Sequence, residues 1–134
     1  MGNGDLPKTG GWETARDDFR GSICVSGPHD LVTLPWGDLW TPQDVDALQA
    51  REQASPIRHV HAGMKPLLIF HADNDHSVPI DNPLAMIEVL RARNAPHEFH
   101  HSPDAGHMLI TPEVIDKSLA FIRAVSATPL EPAR

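Results

Sequence analysis

The stretch Lys65-Pro66-Leu67-Leu68-Ile69-Phe70-His71 places four large apolar side chains in a row with no polar residue between them. A strand with one wet face alternates apolar and polar residues. An unbroken apolar run asks for cover on both faces, which points to a parallel sheet with a layer of helices on each side. Two weaker runs flank it. Ser22-Ile23-Cys24-Val25-Ser26 lies between Gly21 and Gly27 and is too short for a helix. Pro96-His97-Glu98-Phe99-His100-His101 alternates loosely, and a proline at its start suits a sheet edge.

Helical segments separate these strands. Thr41-Pro42 predicts a helix start, with threonine as cap and proline in the first turn, and a thin apolar stripe of Val45 and Leu48 up to about Gln53. Asp81 is expected to cap a helix of about 12 residues, with Leu84, Ile87 and Leu90 facing the core and Asn94 as its stop. Thr111-Pro112-Glu113 opens the last helix, whose expected buried face is Ile115, Leu119, Phe121 and Ile122. The resulting order is strand, long loop, helix, strand, helix, strand, helix. It implies right-handed crossovers and an α/β fold with a parallel sheet of about three strands and flanking helices. The first strand has central character but no partner for its other side. That predicts an open edge suited to self-association, and a domain of which part is missing.

Residues 1–20 are polar and glycine-rich and read as a flexible N-terminal segment; 21–126 form the domain, and 127–134 read as a disordered tail. Hydrophobic residues make up 40% of the 134, which is too many for a disordered chain. A net charge of −7 argues against a nucleic-acid partner, because phosphate binding needs clustered Lys and Arg. No run approaches the ~20 apolar residues of a membrane span, and the N-terminal residues lack a secretory pattern. With a single cysteine, Cys24, these features predict a cytoplasmic chain without an intrachain disulfide.

Two loops carry the chemistry. Ala72-Asp73-Asn74-Asp75-His76-Ser77-Val78-Pro79 follows the apolar strand, and Ala105-Gly106-His107-Met108 follows the next one. Both loops leave the carboxyl ends of parallel strands, the edge where open α/β sheets bind ligands. One helix and one strand separate Asp75 from His107, so a crossover sets the two loops side by side. A carboxylate there can hold an imidazole through Nδ1–H and stabilise it when the other nitrogen takes a proton.

Ser55-Pro56-Ile57, Pro66 to His71, Asp75-His76-Ser77-Val78-Pro79 and Ala105-Gly106-His107 occur in an order that resembles the C-terminal half of α/β-hydrolases, in the esterase/lipase and prolyl-oligopeptidase-like branches. The Ser26-Gly27 to Asp30-Leu31 turn resembles that of acetyl-esterase-like members. The resemblance spans residues 21–126. It implies a partial α/β-hydrolase fold, with Asp75 as triad acid and His107 as general base, in a serine hydrolase that needs no cofactor. The implied substrate is a small carboxylic ester, with the peptidase branch as the alternative. The sequence departs from the family pattern at His71-Ala72, where His-Gly is usual. No two glycines are four apart, so the Gly-x-Ser-x-Gly nucleophile elbow is not present in these residues. The chain alone is therefore expected to be inactive, a truncated remnant that lacks the serine.

Rival readings are weaker. Asp73 competes for the acid role, but Asp-x-x-Val-Pro spacing favours Asp75. His59, His61, His71, His76, His97, His100 and His101 lack the accompanying carboxylates or cysteines of a metal site and read as solvated, so no metal is expected. Cys24 reads as an inert strand thiol, and Ser22 and Ser26 as non-nucleophilic. Trp36 and Trp40 either line a pocket or pack beneath their loop.

Overall fold

A computed structural model describes residues 18–37, 39, 41, 45–108 and 110–127. Strands β1 (Ser22–Val25), β2 (Leu67–Ala72) and β3 (His97–Ser102) form one parallel sheet in the order β1-β2-β3. Helices α1 (Ala47–Ala54), α2 (Asp81–Ala92) and α3 (Pro112–Ala127) lie between and after them, and a 3-10 turn covers Pro56–His59.

The central strand is buried along its whole length, as its composition requires. Successive side chains point to opposite faces. Leu67 and Ile69 join Met86, Ile87 and Leu90 of α2. Leu68 and Phe70 join Val114 and Phe121 of α3 on the other face. Each of these four strand residues is worth about 1.5–3 kcal/mol of burial. The register sets Leu67 beside Ser22 and His97, and Ala72 beside Ser102, so the strand ends that carry the loops are level.

Several helix details differ from expectation. The first helix begins at Ala47, not Thr41, because the Asp46 carboxylate accepts the Gln49 amide at 2.8 Å and supplies the cap; Pro42 lies outside the described residues. Val45 and Leu48 are exposed, and α1 has no buried residue. Asp81 is the first residue of α2 rather than its cap, and Ile80 precedes it without a side-chain cap. Leu84 faces solvent; the buried stripe is Pro83, Met86, Ile87 and Leu90. Asn94 takes a left-handed φ of 51° as the expected stop, and the Ala95 amide donates to Leu90 O at 2.9 Å.

The last helix opens at Pro112 with Thr111 Oγ1 accepting the Val114 amide. Its buried face is corrected in part: Phe121 is buried as expected, together with Val114, whereas Ile115, Leu119 and Ile122 are about half exposed. The helix carries two apolar stripes roughly 100° apart, and only one of them can lie on the sheet. At the other side of the sheet, β1 pairs only with β2 among the described residues, and Ile23 is 38% exposed. The outer parts of the expected N-terminal segment and tail, 1–17 and 128–134, lie outside the described residues. No described helix is long and apolar enough to cross a membrane.

Candidate active site

Asp75 sits in the turn after β2. Its amide donates back to Ala72 O at 3.2 Å. Its Oδ1 accepts the amides of Ser77 at 2.8 Å and Val78 at 3.0 Å, an Asx-type turn that fixes the carboxylate's direction. The other oxygen, Oδ2, lies 2.9 Å from His107 Nδ1. A carboxylate oxygen only accepts, so Nδ1 carries the proton and Nε2 of the neutral ring is left bare. The Asp75 side chain is fully buried, while that of His107 is 56% exposed. The acid is thus enclosed and the imidazole reachable from outside.

Burial pushes the Asp75 carboxyl up, but the Val78 amide, the His107 ring and the Ser77 amide together outweigh it. The carboxyl lies below its ordinary value and is ionised at neutral pH.

The histidine loop is held at several points. Asn74 Oδ1 accepts the Gly106 amide at 2.7 Å, and Gly106 takes a φ of 64°. Ser26 Oγ, from the end of β1, accepts the Met108 amide at 2.8 Å. Ser26 is buried and itself left-handed, with φ 52°, which costs a non-glycine residue about 1–2 kcal/mol. Asp73 does not compete for His107: its Oδ1 lies 2.9 Å from His101 Nδ1, in an exposed pair.

Behind Asp75 is a second imidazole. His71, expected to be solvated, is fully buried because it continues the β2 run inward. Its Nε2 donates to Val78 O at 2.7 Å and lies 3.6 Å from Asp75 Oδ2, too far for a hydrogen bond. His29 is also buried, and burial, with a smaller contribution from His71, lowers its pKa to about 4. The Nδ1 atoms of both rings lack a partner among the described residues. Cys24 is half-buried, with Sγ 3.9 Å from His29 Nε2, and burial raises its thiol pKa. A thiol kept protonated in this way is a poor nucleophile.

The loop after β1 packs toward the acid turn. Trp36 Nε1 donates to Ser77 O at 2.8 Å, and the ring packs against a cluster of Leu31, Leu34 and Val78. Asn82, at the start of α2, ties this loop down by accepting the His29 amide at 2.7 Å and donating to Asp30 O at 2.7 Å. Trp40 lies outside the described residues. A cleft of about 420 Å³ between β3 and α3, lined by Phe70, Phe99, His100 and Met108 among others, touches the histidine loop but includes neither Asp75 nor His107. Among the described residues no three His, Cys, Asp or Glu side chains gather as a metal site.

Residues 12–126 match the prolyl oligopeptidase family, Peptidase_S9. The chain belongs to the prolyl oligopeptidase family. It is 31% identical over 107 residues to a probable dipeptidyl-peptidase 5 of Aspergillus niger, covering 68% of this chain and 14% of that protein. It is 26% identical over 129 residues to the acylamino-acid-releasing enzyme of Mus musculus, covering 91% of this chain and 17% of that one. The chain therefore spans less than a fifth of the length of these relatives. In fold it is similar to a truncated carbohydrate esterase from gut microbiota, with a TM-score of 0.66 at 20% identity over 80% of this chain and 43% of that one. The three-stranded sheet with its helices is thus part of an α/β-hydrolase fold, as the sequence predicts, and this prolyl oligopeptidase family member belongs among the serine hydrolases.

The structure brings Asp75 and His107 together across 32 residues of sequence. Sequence reasoning missed Asn74, Ser26, His29 and His71. Only His71 had a readable signal: it ends a strand with no wet face, so its solvation was improbable from the start.

Proposed function

We propose that Asp75 and His107 are the acid and general base of a serine-hydrolase triad. The nucleophilic serine comes from an elbow absent from these 134 residues. The observation that carries this reading is the 2.9 Å contact between His107 Nδ1 and Asp75 Oδ2, made by a buried carboxylate and an exposed ring.

The chemistry follows from the proton positions. With Nδ1–H committed to Asp75, the exposed Nε2 is free to take the proton of a serine hydroxyl as its oxygen attacks a carbonyl carbon. The imidazolium that forms is stabilised by the ionised Asp75, and it then returns the proton to the leaving alkoxide or amine. An acyl-serine remains, and water deacylates it with the same histidine as base. None of these steps calls on a cofactor.

The substrate is a carboxylic acid derivative. The sequence resemblance favoured small esters. The peptidase reading has its own support, because the matching family and the Aspergillus niger relative bear peptidase names whereas the esterase likeness is one of fold. An acyl-enzyme mechanism serves both classes.

The test is to join this chain with an α/β-hydrolase N-terminal half that carries Gly-x-Ser-x-Gly. Turnover of p-nitrophenyl acetate and of a dipeptidyl p-nitroanilide is then compared for wild type and His107→Ala. The triad reading expects turnover that falls by about 10³-fold or more in the variant. Equal turnover by His107→Ala overturns it. A faster anilide reaction would favour the peptidase reading. The chain alone is expected to be inactive toward both, and His107-dependent turnover by the unpartnered chain would contradict that.

A further inference from the structure

Three consecutive residues of the histidine loop are held by three different acceptors. Asn74 Oδ1 takes the Gly106 amide at 2.7 Å, Asp75 Oδ2 takes the His107 ring at 2.9 Å, and Ser26 Oγ takes the Met108 amide at 2.8 Å. Asn74 and Asp75 are neighbours, so the acid and one tie travel on the same turn. Ser26 reaches the loop from a different strand, and its own amide stays bonded to Phe70 O at 2.9 Å.

Packing holds this loop on one side only, where Met108 lies against the Leu68, Phe70, Val114 and Phe121 cluster. A Cβ built on Gly106 would meet nothing within 4 Å, and its φ of 64° is one that glycine enters and leaves freely. Ser26 is a strained choice at φ 52°, where glycine would sit without penalty, and its hydroxyl is buried against the Met108 amide. Strain kept at such a place signals a task for the side chain.

We propose that Ser26 and Asn74 are positioning residues that hold His107 with Nδ1 on Asp75 and Nε2 directed outward. They touch no reacting atom; they act through the backbone on either side of the imidazole. This rests on the reading of Asp75 and His107 as a catalytic pair.

The experiment is a ¹⁵N–¹H correlation of the imidazoles in the labelled full chain, which reports which ring nitrogen of neutral His107 carries the proton. Wild type is expected to hold it on Nδ1. In Asn74→Ala and in Ser26→Gly, the ratio of Nδ1–H to Nε2–H forms should fall about fivefold each, the worth of one net hydrogen bond. Ser26→Gly removes the hydroxyl and relieves the backbone, so its melting midpoint should stay near wild type while the ring signal moves. Asn74→Asp keeps an acceptor oxygen and should restore the wild-type ratio. An unchanged ratio in both Asn74→Ala and Ser26→Gly, with wild type on Nδ1, overturns the positioning role alone. A wild-type ring without the Nδ1 proton overturns the catalytic-pair reading and this proposal with it. Should Ser26→Gly unfold, Asn74→Ala against Asn74→Asp decides.

Discussion

Asp75 and His29 show how burial acts on single groups in opposite protonation states. Asp75 is enclosed as an anion because two amides and an imidazole replace its water. Its folded pKa lies below its unfolded one, so the stability it contributes is present above the unfolded value near 3.9 and is lost as pH falls through the folded value. His29 is enclosed as a neutral base, with its pKa lowered from 6.5 to about 4. Above pH 6.5 it costs nothing, and between pH 6.5 and 4 the unfolded chain takes up a proton that the folded chain refuses. Acidification through that window should therefore remove up to about 3 kcal/mol of stability. Urea melts at pH 7 and pH 4.5 check this: His29→Gln should flatten the difference, and an equally steep loss in that variant would rule His29 out as its source. In the joined enzyme, Asp75→Asn should lower kcat by about 10³–10⁴-fold, since a neutral amide cannot stabilise the imidazolium and its NH2 group can turn His107 to the wrong tautomer.

At the scale of elements, α2 and α3 cover opposite faces of the sheet. Phe121 closes one face of the sheet, and Phe121→Ala should cost about 3–5 kcal/mol in chemical denaturation. Ile122→Ser, on the exposed stripe, should cost no more than about 0.5 kcal/mol. A large loss at Ile122 would mean that α3 packs through its other face. The contrast also marks what the sequence can and cannot reveal. The β2 run was readable because four apolar residues without alternation admit one environment, and the helix starts at Asp81 and Pro112 were placed by turn residues to within a position. The α3 face was not readable, because Val114/Phe121 and Ile115/Leu119/Ile122 are equally good helical stripes and only the sheet chooses between them. The start of α1 was not readable because Thr41-Pro42 and Asp46 are both valid caps; the observed cap is the local bond from the Gln49 amide to Asp46, and Pro42 lies outside the described residues. Of the site, the acid and the base were legible from loop position and spacing. Asn74 and Ser26 were not, since a side-chain oxygen meeting a distant amide leaves no periodic trace.

At the scale of the whole molecule, one flank of the sheet has no partner strand among the described residues. β1 pairs only with β2 among the described residues and exposes Ile23, and α3 exposes a second apolar stripe nearby in sequence to its buried one. An uncovered edge of this kind favours pairing with a second copy or with further strands of the same fold. Sedimentation velocity should show concentration-dependent self-association that Ile23→Lys weakens, and a strictly monomeric wild type would exclude it. The fold carries two loops, distant in sequence, to one hydrogen bond between Asp75 and His107. The most direct measurement of that bond is the low-field proton resonance of His107 Nδ1–H in the full chain, compared with Asp75→Asn. A protected signal in wild type that vanishes in the variant is the predicted result; a signal absent from wild type, or unchanged by Asp75→Asn, would contradict it.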